Sequence, residues 1–388
     1  MLLKATQKIS LILIVLQLNA ALATAQQPRQ LSFTPQLLCI DNNEACAVGD
    51  INQDGLPDIV AGRLWYAAPD FVPRPVRPLE LQGLEYAKNN GEHLWDMNAD
   101  GWPDIVTSGY EEPSIRWFEN PGLDYLNKGL EWEKHLLVKT EIIRSEIGLF
   151  EDLDADGVPE YILNSWHDPN PFHFWKLKAG GSGIEYATSI LVGPRNGHGV
   201  GVGDINGDLR PDILFDEGWY QQPDDWETDW IWHKDWKLDD SSCPMLVQDV
   251  NKDGRNDIIF GRAHNYGLYW MEQGIPVGDS TVWIKLVIDD SWSQVHTMSW
   301  ADLDGDGHGE LITGKRVWAH LGKDPGANEP PVIYRYVWSS EKQIFERFEI
   351  NIGEVSTGLF IQVADLNQDQ KPDLVVAGRL GTFILWQD

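Results

Sequence analysis

The sequence predicts an all-β fold: a seven-bladed β-propeller of four-stranded antiparallel blades, closed by the N-terminal strand completing the last blade. Three observations carry this. A nine-residue acidic motif recurs seven times. The stretches between copies read as short strands, and the two chain ends each supply the part of a blade that the other lacks. The copies are DINQDGLPD from Asp50, DMNADGWPD from Asp96, DLDADGVPE from Asp152, DINGDLRPD from Asp204, DVNKDGRND from Asp249, DLDGDGHGE from Asp302 and DLNQDQKPD from Asp365. Self-similarity at a period of roughly 40–50 residues, made of short strands, marks a propeller.

Each repeat reads in the same order. An apolar strand enters the acidic loop (GVGVGD, SWADLD), and a buried run leaves it (PDILF). An aromatic strand follows (GWYQQP, GLYWMEQ, SIRWFEN), then a more polar one (EWEKHLLV, DWIWHKDWKL, TVWIKLVID). These are strands A to D, from the central axis outwards. Tryptophan recurs in strand C, as Trp65, Trp117, Trp219, Trp270 and Trp386, where large aromatic surfaces suit a blade core. The last segment, TFILWQ from Thr382 to Gln387, reads as strand C of the seventh blade, and Leu31 to Ile40 is a strand with no repeat of its own. Pairing them closes the ring and removes two exposed sheet edges.

Every motif places oxygen-bearing side chains at relative positions 0, 2, 4 and 8: Asp50, Asn52, Asp54 and Asp58; Asp96, Asn98, Asp100 and Asp104; Asp152, Asp154, Asp156 and Glu160; Asp204, Asn206, Asp208 and Asp212; Asp249, Asn251, Asp253 and Asp257; Asp302, Asp304, Asp306 and Glu310; Asp365, Asn367, Asp369 and Asp373. Alternate oxygens on a tight loop, without His or Cys ligands, suit a hard cation such as Ca²⁺. The expectation is structural Ca²⁺, up to seven ions. The last acid leads into a strand rather than a helix, so these loops are not EF-hands.

Residues 1–25 have the layout of a secretory signal. Lys4 and Lys8 precede an apolar run from Ile9 to Leu18, and Ala23-Thr24-Ala25 follows. The run is too short to span a bilayer. The expected mature domain is 26–388, a secreted or periplasmic monomer without a membrane span. Net charge is −30 with no basic stripe, which disfavours nucleic acid. Cys39, Cys46 and Cys243 are the three cysteines, and the spacing favours Cys39–Cys46 as a disulfide.

The end of the channel away from the acidic loops carries different chemistry. Counting back six residues from each loop gives Glu44, Asn90, Glu146, His198, Cys243, His296 and Leu359 at the start of strand A. Counting forward five from each last acid gives Arg63, Gly109, Ser165, Glu217, Arg262, Lys315 and Gly378, with His167 and His264 two further on. Two long connections, 165–171 and 315–331, overhang the same face, and loops of such length are often functional. His198, His264 and His296 form a candidate site for Zn²⁺ or another divalent transition metal with an open position. Glu146, His167, Glu217 and Lys315 are acid–base candidates, and Arg262 would hold a developing oxyanion. His135, His173, His233 and His308 fall in outer strands or a calcium loop and read as structural or exposed.

The acidic loops resemble the FG-GAP or VCBS repeats of calcium-binding propellers, including those of integrin α-chains. NGHGVGVGDINGD, GWYQQP, GRAHNYGLYWMEQ and VHTMSWADLDGDGHGELITGKRVWAHLGKDPG resemble the propeller domain of aldos-2-ulose dehydratases and related secreted bacterial proteins, roughly over Glu146 to Asp388. The fungal members also carry cupin domains, which this chain lacks. The resemblance implies a metal-assisted elimination on a keto-sugar or related saccharide at the channel mouth. The competing expectation is a non-catalytic, calcium-stabilised propeller that binds glycans or a protein. Repeats alone do not choose between them.

Overall fold

In the computed structural model, residues 28–78, 80–82, 86–166, 171–226, 228–278 and 281–388 are described. The expected signal segment 1–25 and His167 lie outside them. Residues 31–388 form one unit. Seven four-stranded antiparallel sheets follow one another as blades, and in the first six the chain runs from the innermost strand to the outermost. Inner strands of neighbouring blades pack against each other around the channel. Strands A and B of the third blade, for example, are Gly148–Glu151 and Glu160–Leu163, paired Gly148 to Leu163 and Glu151 to Glu160.

The seventh blade closes the ring as the chain ends predict. Phe33–Cys39 pairs antiparallel with Gly381–Gln387, from Phe33 opposite Gln387 to Cys39 opposite Thr382. Burial follows from side-chain alternation. In strand B of the fourth blade, Ile213 packs towards the third blade with Phe172, while Leu214 packs towards the fifth with Phe260. Successive side chains point to opposite faces, and here both faces are covered. Strand B therefore reads as a continuous apolar run rather than an alternating one. The same division recurs round the ring: Ile59 faces the seventh blade and Val60 the second.

The expected Cys39–Cys46 disulfide is absent; all three cysteines are free thiols. Cys46 is buried and donates to the Val375 carbonyl at 3.6 Å, while Cys39 faces Arg63.

Candidate functional site

The acidic loops join strands A and B on one face of the ring. In each, the acid at position 8 is buried and acts as a latch. One carboxylate oxygen of Asp58 accepts the Ile51 N–H (2.9 Å) and the other the Ala68 N–H (2.9 Å). Asp104, Asp212, Asp257 and Asp373 repeat both bonds with their own neighbours. Burial raises these carboxyls, Asp58 to about 6 and Asp212 to about 7. The first Asp of the motif accepts backbone N–H groups from positions 4 and 5, as Asp50 does from Asp54 and Gly55.

The loops divide by their second position. In the five with Asn, its amide donates to the third acid, as Asn52 does to Asp54 at 3.0 Å. In the two with Asp, a cation from strand C takes that role. Lys176 reaches Asp154, Asp156 (2.9 Å) and Glu160 (3.3 Å). Arg335 reaches Asp304 (3.3 Å) and Glu310 (3.0 Å).

The opposite mouth holds a cavity of about 420 Å³. His198 precedes strand A of the fourth blade, His296 lies within strand A of the sixth (Val295–Ala301), and His264 sits in the turn between strands B and C of the fifth. One ring nitrogen from each comes within 4.8 Å of the others. Glycines allow the approach: a Cβ on Gly199 would strike Ser241, and one on Gly201 would meet the Met245 carbonyl at 2.5 Å. The fourth and fifth blades thereby close on each other, carrying His198 towards His264.

The partners of the three rings assign their tautomers. His198 Nδ1 lies 3.0 Å from the Ser241 carbonyl, and His264 Nδ1 lies 3.0 Å from the Asp324 carboxylate, so both Nδ1 atoms carry the proton. His296 Nε2 accepts from Arg316 Nη1 at 3.0 Å, which places its proton on Nδ1 too. The Nε2 lone pairs of His198 and His264 then face each other at 3.2 Å, while that of His296 accepts from Arg316. Burial, then the Arg316 charge, holds His296 well below the ordinary histidine value; burial, then His198, lowers His264.

Behind the histidines, Arg316 crosses the channel. It is bidentate to Glu44 (2.6 and 2.9 Å) and donates to Glu146 at 2.7 Å. Glu146 lies 3.3 Å from His296 and 3.8 Å from His198. Burial opposes its ionisation, but Arg316, His198 and His264 outweigh it and keep its carboxyl below the usual value. Deeper in the channel, the His93 ring meets Phe150 and Phe360 at 5.3 and 5.9 Å, forming an aromatic floor.

His198, His264, His296 and Glu146 are therefore brought together, while other expected residues are not. Lys315 is buried and holds the 316–331 connection from beneath, donating to Ser293 (2.8 Å) and the Gly326 carbonyl (2.7 Å). The register shifts between Val295 and Thr297, opposite the end of its strand, and Arg316 rather than Lys315 lines the cavity. Glu217 turns outwards to Lys237 (3.4 Å) and Arg195 (3.9 Å), and Asp216 lines the cavity instead. Arg262 is tied to Asp240 at 3.0 Å and is not on the lining. The adjacent Lys-Arg and Asp-Glu pairs are the signal that a one-residue change of facing would swap the site residue. Asp324 and His320, which the sequence reading did not name, sit in the long 315–331 connection. His320 stacks on His264 at 4.5 Å and bonds to Asp324 at 3.0 Å. His135 and His233 stack on Trp117 and Trp219, each at 4.2 Å, away from the mouth.

Residues 152–215 and 249–313 match the FG-GAP-like repeat family. Each match runs from an acidic loop to strand B of the next blade. The class of protein is a seven-bladed propeller, two stretches of which match FG-GAP-like repeats. Among solved structures, BBS1N in complex with ARL6DN, soaked with mercury, is similar at a TM-score of 0.51 and 12% identity, over 91% of this chain and 94% of that one. The lead-soaked crystal of that complex gives 0.49 and 10%, over 92% and 96%. The V. cholerae biofilm matrix protein Bap1 gives 0.44 and 10%, over 91% of each. At these identities the likeness concerns the fold. No curated protein matches the sequence. Among the described residues no helix is long and apolar enough to cross a membrane.

Proposed function

We propose that the mouth is a divalent transition-metal centre serving a carbon–oxygen lyase that eliminates from a keto-sugar or related saccharide. The observation that carries this is the convergence of one ring nitrogen from each of His198, His264 and His296 to within 4.8 Å of one another. Two of them face each other at 3.2 Å without a proton between them, an arrangement that a cation relieves. Outer partners fix the rings as metal-binding imidazoles are commonly fixed, through a carbonyl and a carboxylate on the far nitrogen. The fit is good for Zn²⁺ or a similar ion.

Such an ion would polarise a carbonyl and acidify the proton beside it. The chain supplies the remainder. Asp216 lines the cavity and is raised by burial, then by Glu217, which suits a group that takes and returns a proton. Trp166 is 42% exposed on the cavity wall beside Tyr110, with ring centres 6.4 Å apart. Such a platform offers an apolar face to a sugar ring while leaving its hydroxyls to polar neighbours. It would equally serve a glycan-binding protein without catalysis, which is the second reading.

Calcium in the acidic loops completes the proposal. The loops offer convergent oxygens, and extracellular calcium modules bind at roughly 10⁻⁴–10⁻³ M, in keeping with a secreted or periplasmic site of action.

The test is metal analysis of protein washed free of loosely held calcium, beside the His198→Ala and His264→Ala variants. One equivalent of transition metal is expected in the parent and little in either variant. Ultraviolet absorbance of an unsaturated product should appear with the parent alone. Protein free of transition metal, or variants with full metal content, would sink the metal centre. Metal without elimination on any saccharide would leave the binding role.

A further inference from the structure

The geometry points to a second pocket beside the mouth, one that binds the carboxylate or sulfate-ester oxygens of an acidic saccharide. The anion site stands on its own observations; that a saccharide carries the anion rests on the reading above.

This pocket has a volume of about 260 Å³ and lies between the linker after the first blade and strands B and C of the second. Asn89 borders both cavities. Arg77, on the pocket wall, is only 7% exposed. Its Nη2 spans both oxygens of Glu92, at 2.7 and 2.9 Å. Glu92 also accepts from Asn89 (2.5 Å) and the Gly62 backbone (3.2 Å), so its carboxylate is fully engaged. Arg77 Nη1 is left buried without a hydrogen-bond partner, and so is the hydroxyl of Ser114 on the same pocket. The Phe118 ring, 4.7 Å from the guanidinium carbon, holds the plane of the group.

A buried donor without an acceptor is costly, more so when charged. Arg77 Nη1 can only donate, and a hydroxyl can donate as well. Their shared missing partner is an acceptor, and carboxylate or sulfate oxygens accept only. The surrounding charges permit an anion. Of the acids on the rim, Glu112 is paired with Arg116 and Glu80 with Lys88 at 3.5 Å, and Lys134 offsets the third, Glu131. Asn89, buried and bonded to Asn43 and Glu92, stands between this pocket and the metal-binding mouth.

Calorimetry with glucuronate, a glucose sulfate and glucose tests this. Saturable binding of at least one acidic sugar is expected, and its preference between carboxylate and sulfate names the natural anion. Ser114→Ala should weaken that binding by roughly tenfold, the loss of one hydrogen bond to a charged group. Arg77 itself is left intact, because removing it would strand the buried Glu92. Lys134→Gln should weaken binding and flatten its salt dependence. Equal affinity for glucose, or unchanged affinity in both Ser114→Ala and Lys134→Gln, would overturn the pocket. If glucuronate binding responds to Ser114→Ala but no saccharide is eliminated, the pocket stands and the lyase reading falls. If a neutral keto-sugar is eliminated while neither acidic sugar binds, the reverse holds.

Discussion

The two ends of the channel handle crowded charge by opposite means. On the loop face, carboxylates gather in seven nearly identical turns. Each is balanced locally, by backbone N–H groups and an Asn amide or by Lys176 and Arg335. At the mouth, one arginine balances two buried glutamates from different blades, and three imidazoles converge beside it. The loop face is therefore nearly modular: each loop satisfies its own carboxylates, and neighbours are tied by single bonds such as Gln368 to the Gly55 carbonyl and Asn256 to the Asp204 carbonyl. The mouth is a single network, in which one change strands several groups.

The largest expected effect follows from that contrast. Arg316→Met should destabilise the protein by about 3–5 kcal/mol, because it leaves Glu44 and Glu146 buried without their cation. Urea unfolding would measure it. A loss under about 1 kcal/mol would mean that the mouth is as modular as the loops.

Next comes acid sensitivity at the channel floor. Burial pushes His93 down to about 4, below its ordinary 6.5. The folded state thus binds fewer protons than the unfolded chain between those values. Its stabilising contribution is whole above pH 6.5 and is lost as the pH falls towards 4. His93→Phe should flatten this acid limb of a melting-temperature profile, by an amount on the order of 1–3 kcal/mol between pH 6.5 and 4. A parallel profile in the variant would assign the acid limb to other groups.

The smallest effect concerns one loop. Positions 3 and 5 of the motif take left-handed backbone: Gly305 and Gly307 stand there in the sixth loop (φ 73° and 84°), but Gln368 and Gln370 in the seventh (φ 61° and 70°). A residue with a Cβ is strained by roughly 1–2 kcal/mol in that region. Gln370→Gly should raise the melting temperature by a few degrees in chelator. It should also strengthen the calcium response, seen as the rise in melting temperature when Ca²⁺ is restored. An unchanged melting curve in chelator for parent and variant alike would count against occupied loops.

The repeated half of the molecule was legible because repetition turns a weak local signal into a register. Aligning seven loops sets the direction of every strand A and B, and counting along those strands reached His198, His296 and Glu146. The His264 turn lay within the same count. Pairing Leu31–Ile40 with the final strand needed only the tally of strands per blade. What counting could not reach depended on departures from the repeat. A register shift in the sixth blade sends Lys315 beneath the long connection and Arg316 into the channel. A turn directly after Phe215 presents Asp216 and turns Glu217 away. Asp324 and His320 lie in a connection without periodicity, so nothing in their spacing indicated that they would reach His264. Arg77 and Ser114 stand 37 positions apart with no motif between them, and the packing of the second blade against its linker is what leaves both donors facing one pocket. Local sequence determines side-chain direction for as long as a strand keeps its register; past a bulge or a turn, direction is settled by what the neighbouring blade leaves room for.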